Sequence, residues 1–557
     1  MKTFKKIIVM LLIFATMITL CACPGGSGGG DVIEIDPEKT QLYVFSYAGG
    51  VGNDWLDSAI AAFEAKYANT SFEDGKKGVQ VIPDKQKVTA VTMIDSFKNS
   101  TYDVIFNENL RYNQWSANGN FLDITDLVNE MGEDGKTIYS KLSADKLDAL
   151  TARDGKIYAL PHYEAFRGLV YDIDLFNENN LYFASDRTYS DFILNANATK
   201  SAGPDGKMNT LDDGLPATYE EFFKLCDEMV SKGITPFVWS GEQNAYSEFL
   251  LYALADTWAG AEETKLNYNF GVGSSDNTTT VVTGFSNGQP VTKEVAITEA
   301  NGYELRQTEA KYRALEFLFK IFNTSDYYYT DSMAKLTMSN REAQETYIFS
   351  KLENKPIAML IEGTFWEKEA KDSFDLSVSA YGDAAKNRNF GWMPLPGVYS
   401  GTVNESNGVK QVLNDYINSY CGINANSTGA RLELAKLFVK FIYTDEMLND
   451  FTKHTGMLKG MNYDIATETT NGLSGFYKQL IELRKESDVI TPLSSSVLFM
   501  NNETKFTLYD SYWNSDKYIF PVAAFRGGQK SAVTYFEGMA MSQSDWEAAY
   551  GRFYQGK

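Results

Sequence analysis

Histidine occurs only twice in 557 residues, at His162 and His454, so a site that needs several imidazoles for metal binding or a proton relay has almost nothing to draw on. Cysteine is nearly as scarce. Of four, two lie in the first 23 residues, and the remaining pair, Cys226 and Cys421, makes neither a CxxC site nor a disulfide framework. Both fall in apolar stretches and read as buried thiols acting as small hydrophobes. Positive charge is in deficit: 51 Lys and Arg against 73 Asp and Glu leave a net charge of −22. No long basic run offsets this, which argues against nucleic acid as a partner. The motifs GxSxG, HExxH and GxxxxGK[ST] are missing, and with them the commonest signatures of nucleophilic, zinc and phosphate chemistry.

What is present is ordinary globular material, 44% apolar and 22% charged, in a chain long enough for more than one hydrophobic core. The N-terminus departs from it. Lys2, Lys5 and Lys6 precede an apolar run, Ile7 to Leu20, broken only by Thr16 and Thr19. The run is short of a bilayer span and reads as a signal peptide. Leu20-Cys21-Ala22-Cys23 resembles the lipobox of bacterial lipoproteins, and its register makes Cys23 the acylated residue, since Ala22 is the small residue before it. The expectation is a signal peptide over 1–22 and a lipidated, Gly-rich flexible tether over 23–36. No second run of spanning length follows, so the remainder is expected to be soluble and outside the membrane.

Gln41 to Tyr47 reads as a buried strand, with Asn53 or Asp54 capping a helix whose apolar face is Trp55, Leu56, Ala59, Ile60, Phe63 and Tyr67. Val79 to Ile82 is a second strand, the stretch around Met93 and Phe97 a second helix, and Tyr102 to Phe106 a third strand. This order predicts an α/β fold with a parallel sheet covered on both faces. Ligands then sit beyond the carboxyl ends of its strands, near Tyr47 and Asn107. Further strands are expected in Gly155–Leu160, Gly168–Tyr171, Gly233–Trp239, Lys355–Ile361 and Ser419–Ile423, with helices after Thr218 and over Leu432–Tyr443. Residues 267–297, rich in Gly, Ser, Thr and Asn, read as an inserted hairpin or surface excursion.

Glu108, Glu164, Glu242 and Glu362 all fall at predicted strand ends. Paired carboxylates can cleave glycosides, yet the same acids can bind sugar hydroxyls through charge-assisted hydrogen bonds. Three have aromatic neighbours: Tyr163 beside Glu164, Trp239 near Glu242, and Phe365 and Trp366 after Glu362. Rings stacked on the apolar faces of pyranoses, with polar groups at their edges, would make a carbohydrate site. Separately, Asp205, Asn209, Asp212 and Asp213 crowd oxygen ligands into a Gly-punctuated loop. This suits a structural Ca²⁺ or an acidic surface turn; an EF-hand is incomplete, because Pro216 stands at the twelfth position.

In order along the chain stand LYVFSYAGG, DWLDSAIAAFEAKY, YDVIFNENLRYNQWSANGNFLDITDLV, DGKIYALPHYEAFRGLVYDIDLF, PATYEEFFKLCDEM, KPIAMLIEGTFW, FGWMPLPG, YCGINANS and LAKLFVKFIYTDE. This series resembles the extracellular solute-binding proteins of ABC importers, in the carbohydrate-binding group related to maltodextrin-binding protein. The resemblance implies a two-lobed, periplasmic-binding-protein-like fold in which each lobe is a sheet flanked by helices, joined by crossing hinge strands. Lobe I would comprise 37–165 plus 396–456, and lobe II 166–395 plus 457–557. It implies a ligand site built from Tyr47, Gly49, Asn107, Glu108, Tyr163, Glu164, Arg167, Trp239, Glu242, Glu362, Phe365, Trp366 and Tyr420. The C-terminal segment with Trp513, Phe525 and Arg526 is hard to align. The expected protein is a monomeric, non-enzymatic receptor without cofactor. It would be lipid-anchored on the outer face of the cell membrane and would pass a carbohydrate, expected to be an oligosaccharide, to ABC permease subunits. The alternatives are a lipid-anchored glycoside hydrolase and a receptor for a peptide or polyamine.

Overall fold

Alternating apolar residues put the first strand where the sequence predicts it, and β1 spans Thr40–Ser46 with Leu42 and Val44 fully buried. A computed structural model describes residues 33–85, 97–503 and 520–554. The signal peptide, Cys23, most of the tether, Met93 and Trp513 lie outside the described residues. Glu38–Lys557 forms one compact unit, and the architecture below is that unit's.

In chain order β2 (Val79–Asp84), β3 (Val104–Asn107) and β4 (Ala159–Pro161) follow, then β5 (Arg167–Asp172) and β6 (Thr235–Val238). Next come β7 (Thr278–Ser286), β8 (Gln289–Ala296), β9 (Ile357–Gly363) and β10 (Phe390–Trp392). The last are β11 (Val412–Asn414), β12 (Tyr420–Ile423) and β13 (Asp488–Ile490). The first sheet has the order β2-β1-β3-β12-β4 and the second β10-β5-β9-β6. β1 runs parallel to β2 and β3, as expected from the strand–helix alternation, but β12 is antiparallel to β3 and β4. In the second sheet β5 is antiparallel to β9 and β10, while β6 and β9 are parallel. Both sheets are therefore mixed rather than parallel, because the chain leaves each sheet and re-enters it from the other.

Three segments cross between the sheets: 162–166 from β4 to β5, 393–419 from β10 to β12, and 456–474. The last leads from the helix Asp445–Thr455, where Phe451 packs on Trp55, to the helix Gly475–Glu486, where Gln479 accepts a hydrogen bond from the Trp392 amide of β10. The crossings lie side by side. The His162 and Glu164 amides donate to Ser419 and Leu458 carbonyls. Within 396–456, β11 does not join the first sheet: it pairs with β13, and Asn414 donates to Asp256 and Tyr268 of the helix Asn244–Asn269.

Asn53 stands at the cap position of the helix Asp54–Lys66, but its side chain accepts from the Ser46 hydroxyl instead of a helix amide. Thr218 does cap its helix, accepting from the Glu221 amide. Phe97 begins one turn of 3₁₀ helix, Phe97–Asn99. The 267–297 excursion is a hairpin, β7 against β8, turned by Asn287 and Gly288, both at positive φ. That is the sequence and backbone a two-residue hairpin turn requires. Cys226 and Cys421 are buried, unpaired thiols. Among the described residues, no helix is long and apolar enough to cross a membrane.

Candidate functional site

The carboxyl ends of β1, β3 and β9 converge. Tyr47 follows β1, Glu108 follows β3, and Glu362 is the penultimate residue of β9. The Tyr163 hydroxyl, from the first crossing, donates to Glu108 Oε1 at 2.5 Å, and Asn107 Oδ1 accepts from the Glu108 amide. A Cβ on Gly49 would overlap the Glu108 carboxylate, so only glycine fits there. Gly50 brings bare backbone from the first sheet against Phe365, whose ring would lie 2.8 Å from an added Cβ and which also covers Gly363. The two halves are thus in contact at this point. Asp54 and Lys368 form a 2.9 Å ion pair between the same two regions.

On the second-sheet side, Gln344 donates through Nε2 to Glu362 at 3.2 Å and to Glu369 at 2.7 Å, while its Oε1 has no partner. Burial, and then the charge of Glu369, raise the Glu362 carboxyl well above its ordinary value. Burial likewise raises Glu108 to about 7, with Glu369 adding to it against the Tyr163 hydrogen bond. Burial and then Glu108 and Glu369 raise the Tyr47 hydroxyl. Tyr246, at the start of the helix Asn244–Asn269, is raised by burial and by Glu362, Glu369, Tyr416 and Glu108. Its surroundings therefore join the acids of both sheets into one constellation. Tyr47, Tyr246 and Tyr416 are half-buried; Tyr246 stacks on Phe249 with centroids 4.7 Å apart, and the Tyr416 ring meets Phe249 and the Arg167 guanidinium.

Arg167 opens β5 and is 5% exposed. Its guanidinium lies 3.8 Å from the Tyr252 ring centroid and 4.7 Å from that of Tyr416, and none of its three nitrogens has a hydrogen-bond partner.

Several expected site residues are elsewhere. Glu164 is sealed beneath the crossings, held by Arg484 at 2.7 and 3.1 Å with Lys146 at 3.6 Å. Burial alone would raise its carboxyl, but Arg484 and Lys146 outweigh burial and hold it below the ordinary value. Trp366 is fully buried among Tyr347, Phe374, Phe390 and Phe476. Trp239 is buried against Phe322 and Tyr328, and Tyr420 against Tyr112. These three rings are core, with no face free to stack. Glu242 is exposed on the turn before the Tyr246 helix. Tyr246, Tyr416, Gln344 and Glu369 were not foreseen. A signal for Tyr246 existed, since the turn after β6 leads directly into the helix that carries it.

In the 203–214 loop, Asp205 and Asp212 accept from the Lys207 and Asp205 amides, and Asp213 accepts from those of Asn209 and Thr210. Among the described residues, no group of three or more His, Cys, Asp or Glu is arranged to hold a metal ion. His162 is buried between Trp55 and Phe106, and burial followed by the Lys459 charge holds it well below its ordinary value.

Residues 58–471 match the family of bacterial extracellular solute-binding proteins. The chain belongs to that family. No curated protein sequence matches it. Solved structures similar to this solute-binding protein include a chitin oligosaccharide binding protein, 15% identical with a TM-score of 0.54, covering 92% of this chain and 100% of that one. Another is the GacH receptor of Streptomyces glaucescens, determined unliganded and with acarbose, 14% identical at a TM-score of 0.53, covering 92% and 99%. A third is maltose-bound MalE3 of T. maritima, 13% identical at 0.52, covering 92% and 100%. At these identities the likeness shows the fold, and it is the two-lobed α/β fold expected from the sequence.

Proposed function

We propose that this solute-binding protein captures a carbohydrate between its two sheets and delivers it to an ABC permease, tethered to the outer face of the membrane through lipidated Cys23. The observation that carries the reading is the constellation of half-buried Tyr47, Tyr246 and Tyr416 rings around polar groups of opposite need. Gln344 Oε1 lacks a donor and Asn107 Nδ2 lacks an acceptor, and a sugar hydroxyl serves both roles. Ring faces take the apolar faces of pyranoses, and the carboxyls take their edges. The sugars named for the three similar structures point the same way. Binding from both sheets would favour the arrangement in which Gly50 meets Phe365, a shift of population toward the closed state.

The test is a thermal-shift screen of the purified protein against an oligosaccharide panel, with reducing ends assayed in parallel. A shift without cleavage supports the receptor. Released reducing sugar would replace it with the hydrolase reading, and a shift with peptides or polyamines alone would replace the ligand class. For the anchor, Cys23→Ser should move the protein from membrane to medium; unchanged membrane retention would remove it.

A further inference from the structure

Glu108 from the first sheet and Glu362 at the end of β9 are buried, and the half-buried Glu369 acts on both; among the described residues no Lys, Arg or His forms an ion pair with any of the three. Buried carboxyls without a counter-charge resist ionisation, and a cation brought between them would reverse that. Gln344 sharpens the point independently. It is fully buried, its Nε2 already serves Glu362 and Glu369, and its Oε1 is an acceptor with no donor. The unpaired Gln344 acceptor, beside carboxyls without an ion-pair partner, therefore asks for a hydrogen-bond donor and positive charge. The half-buried rings of Tyr47 and Tyr246, both under the influence of Glu108 and Glu369, suit a cation as well as an apolar sugar face. The Arg167 guanidinium does not fill the need, being held between Tyr252 and Tyr416.

We infer that the ligand is an amino sugar, an oligosaccharide bearing at least one free amine, whose ammonium is received between Glu108 and the Glu362–Gln344–Glu369 group. The inference rests on the carbohydrate reading and narrows it. An ammonium offers three donors and a charge, where a hydroxyl offers one donor and none. Because the carboxyls come from both sheets, the same ion would bridge them on closure.

Calorimetric titration of the purified protein with matched oligomers of glucosamine, N-acetylglucosamine and glucose, in slightly acidic buffer, tests it. The free amine should bind at least tenfold more tightly than either neutral counterpart. Glu108→Gln, isosteric and still able to accept from Tyr163, should collapse that preference. Glu369→Gln, at a half-buried position, should do the same and guards against a folding defect in the first variant. Equal or tighter binding of a neutral sugar, in this set or in the wider panel, overturns the amine while leaving the carbohydrate reading intact. Binding of spermidine with no sugar overturns both, as does binding of nothing tried.

Discussion

Two sets of buried carboxylates lie near the crossings of this protein, and they are electrostatic opposites. Glu164 and Asp415 are met by Lys146 and Arg484, with Lys146 to Asp415 at 2.8 Å and Arg484 to Glu164 at 2.7 Å. Glu108, Glu362 and Glu369 meet hydroxyl, amide and one another. The first set is complete within the chain, and it ties three segments far apart in sequence into a fixed junction. The second has no cationic partner among the described residues. A buried ion pair whose partners are all present contributes geometry; buried acids without a cation contribute a demand that a ligand can meet.

The comparison breaks most visibly at Arg484. Arg484→Met leaves Glu164 buried with only the longer contact to Lys146, and should cost about 3–5 kcal/mol of unfolding free energy by chemical denaturation. A loss below 1 kcal/mol, roughly the value of a surface pair, would put the two sets on the same footing. Next in size, Tyr246→Ala should weaken ligand binding by about 0.5–1.5 kcal/mol beyond lost contact area, read by calorimetry, with the thermal midpoint preserved because the ring is half-buried.

The pH dependence should separate the sets by sign. Glu108 is raised to about 7 in the folded protein against an ordinary 4.5, so the folded state binds the extra proton between those values and its contribution to stability falls as pH rises through that window. Glu164 is lowered, so its contribution is present above the ordinary carboxyl value and is lost as pH falls through the depressed one. Glu108→Gln should flatten the decline between about pH 4.5 and 7 in a denaturation series, whereas Glu164→Gln should remove stability throughout neutral pH. The smallest effect is at Glu362. Burial raises its carboxyl well above the ordinary value, so Glu362→Gln should leave the unfolding midpoint nearly unchanged while weakening ligand binding. A large destabilisation would mean that Glu362 is charged and paired after all.

Much of the framework was legible in the chain. The apolar strand Gln41–Tyr47, the apolar run Lys355–Ile361 and the Thr218 cap are local signals, each realised at or within a few residues of its expected place, and the hairpin falls inside 267–297. Glu108, Tyr47 and Gly49 were legible because a strand's carboxyl end is a local property too. Glu164 was not, since its fate depends on Arg484, which lies 320 positions away. Trp366 and Trp239 were misplaced because an aromatic beside an acid looks the same in sequence whether its ring faces ligand or core. Tyr246 and Glu369 sit on helices that follow β6 and β9, just beyond where a strand-end argument stops, and Gln344 sits on the helix Asn340–Ser350 that precedes β9.

The meeting of Gly50 with Phe365 sets a mechanical stop. Backbone rests directly against the Phe365 ring there, so close that a methyl group added at Gly50 would overlap it. A cargo thick enough to hold Phe365 off Gly50 would leave the halves ajar by its own thickness. The dimensions of the bound molecule would then be written into the angle between the halves, which a membrane partner could gauge without touching the cargo itself.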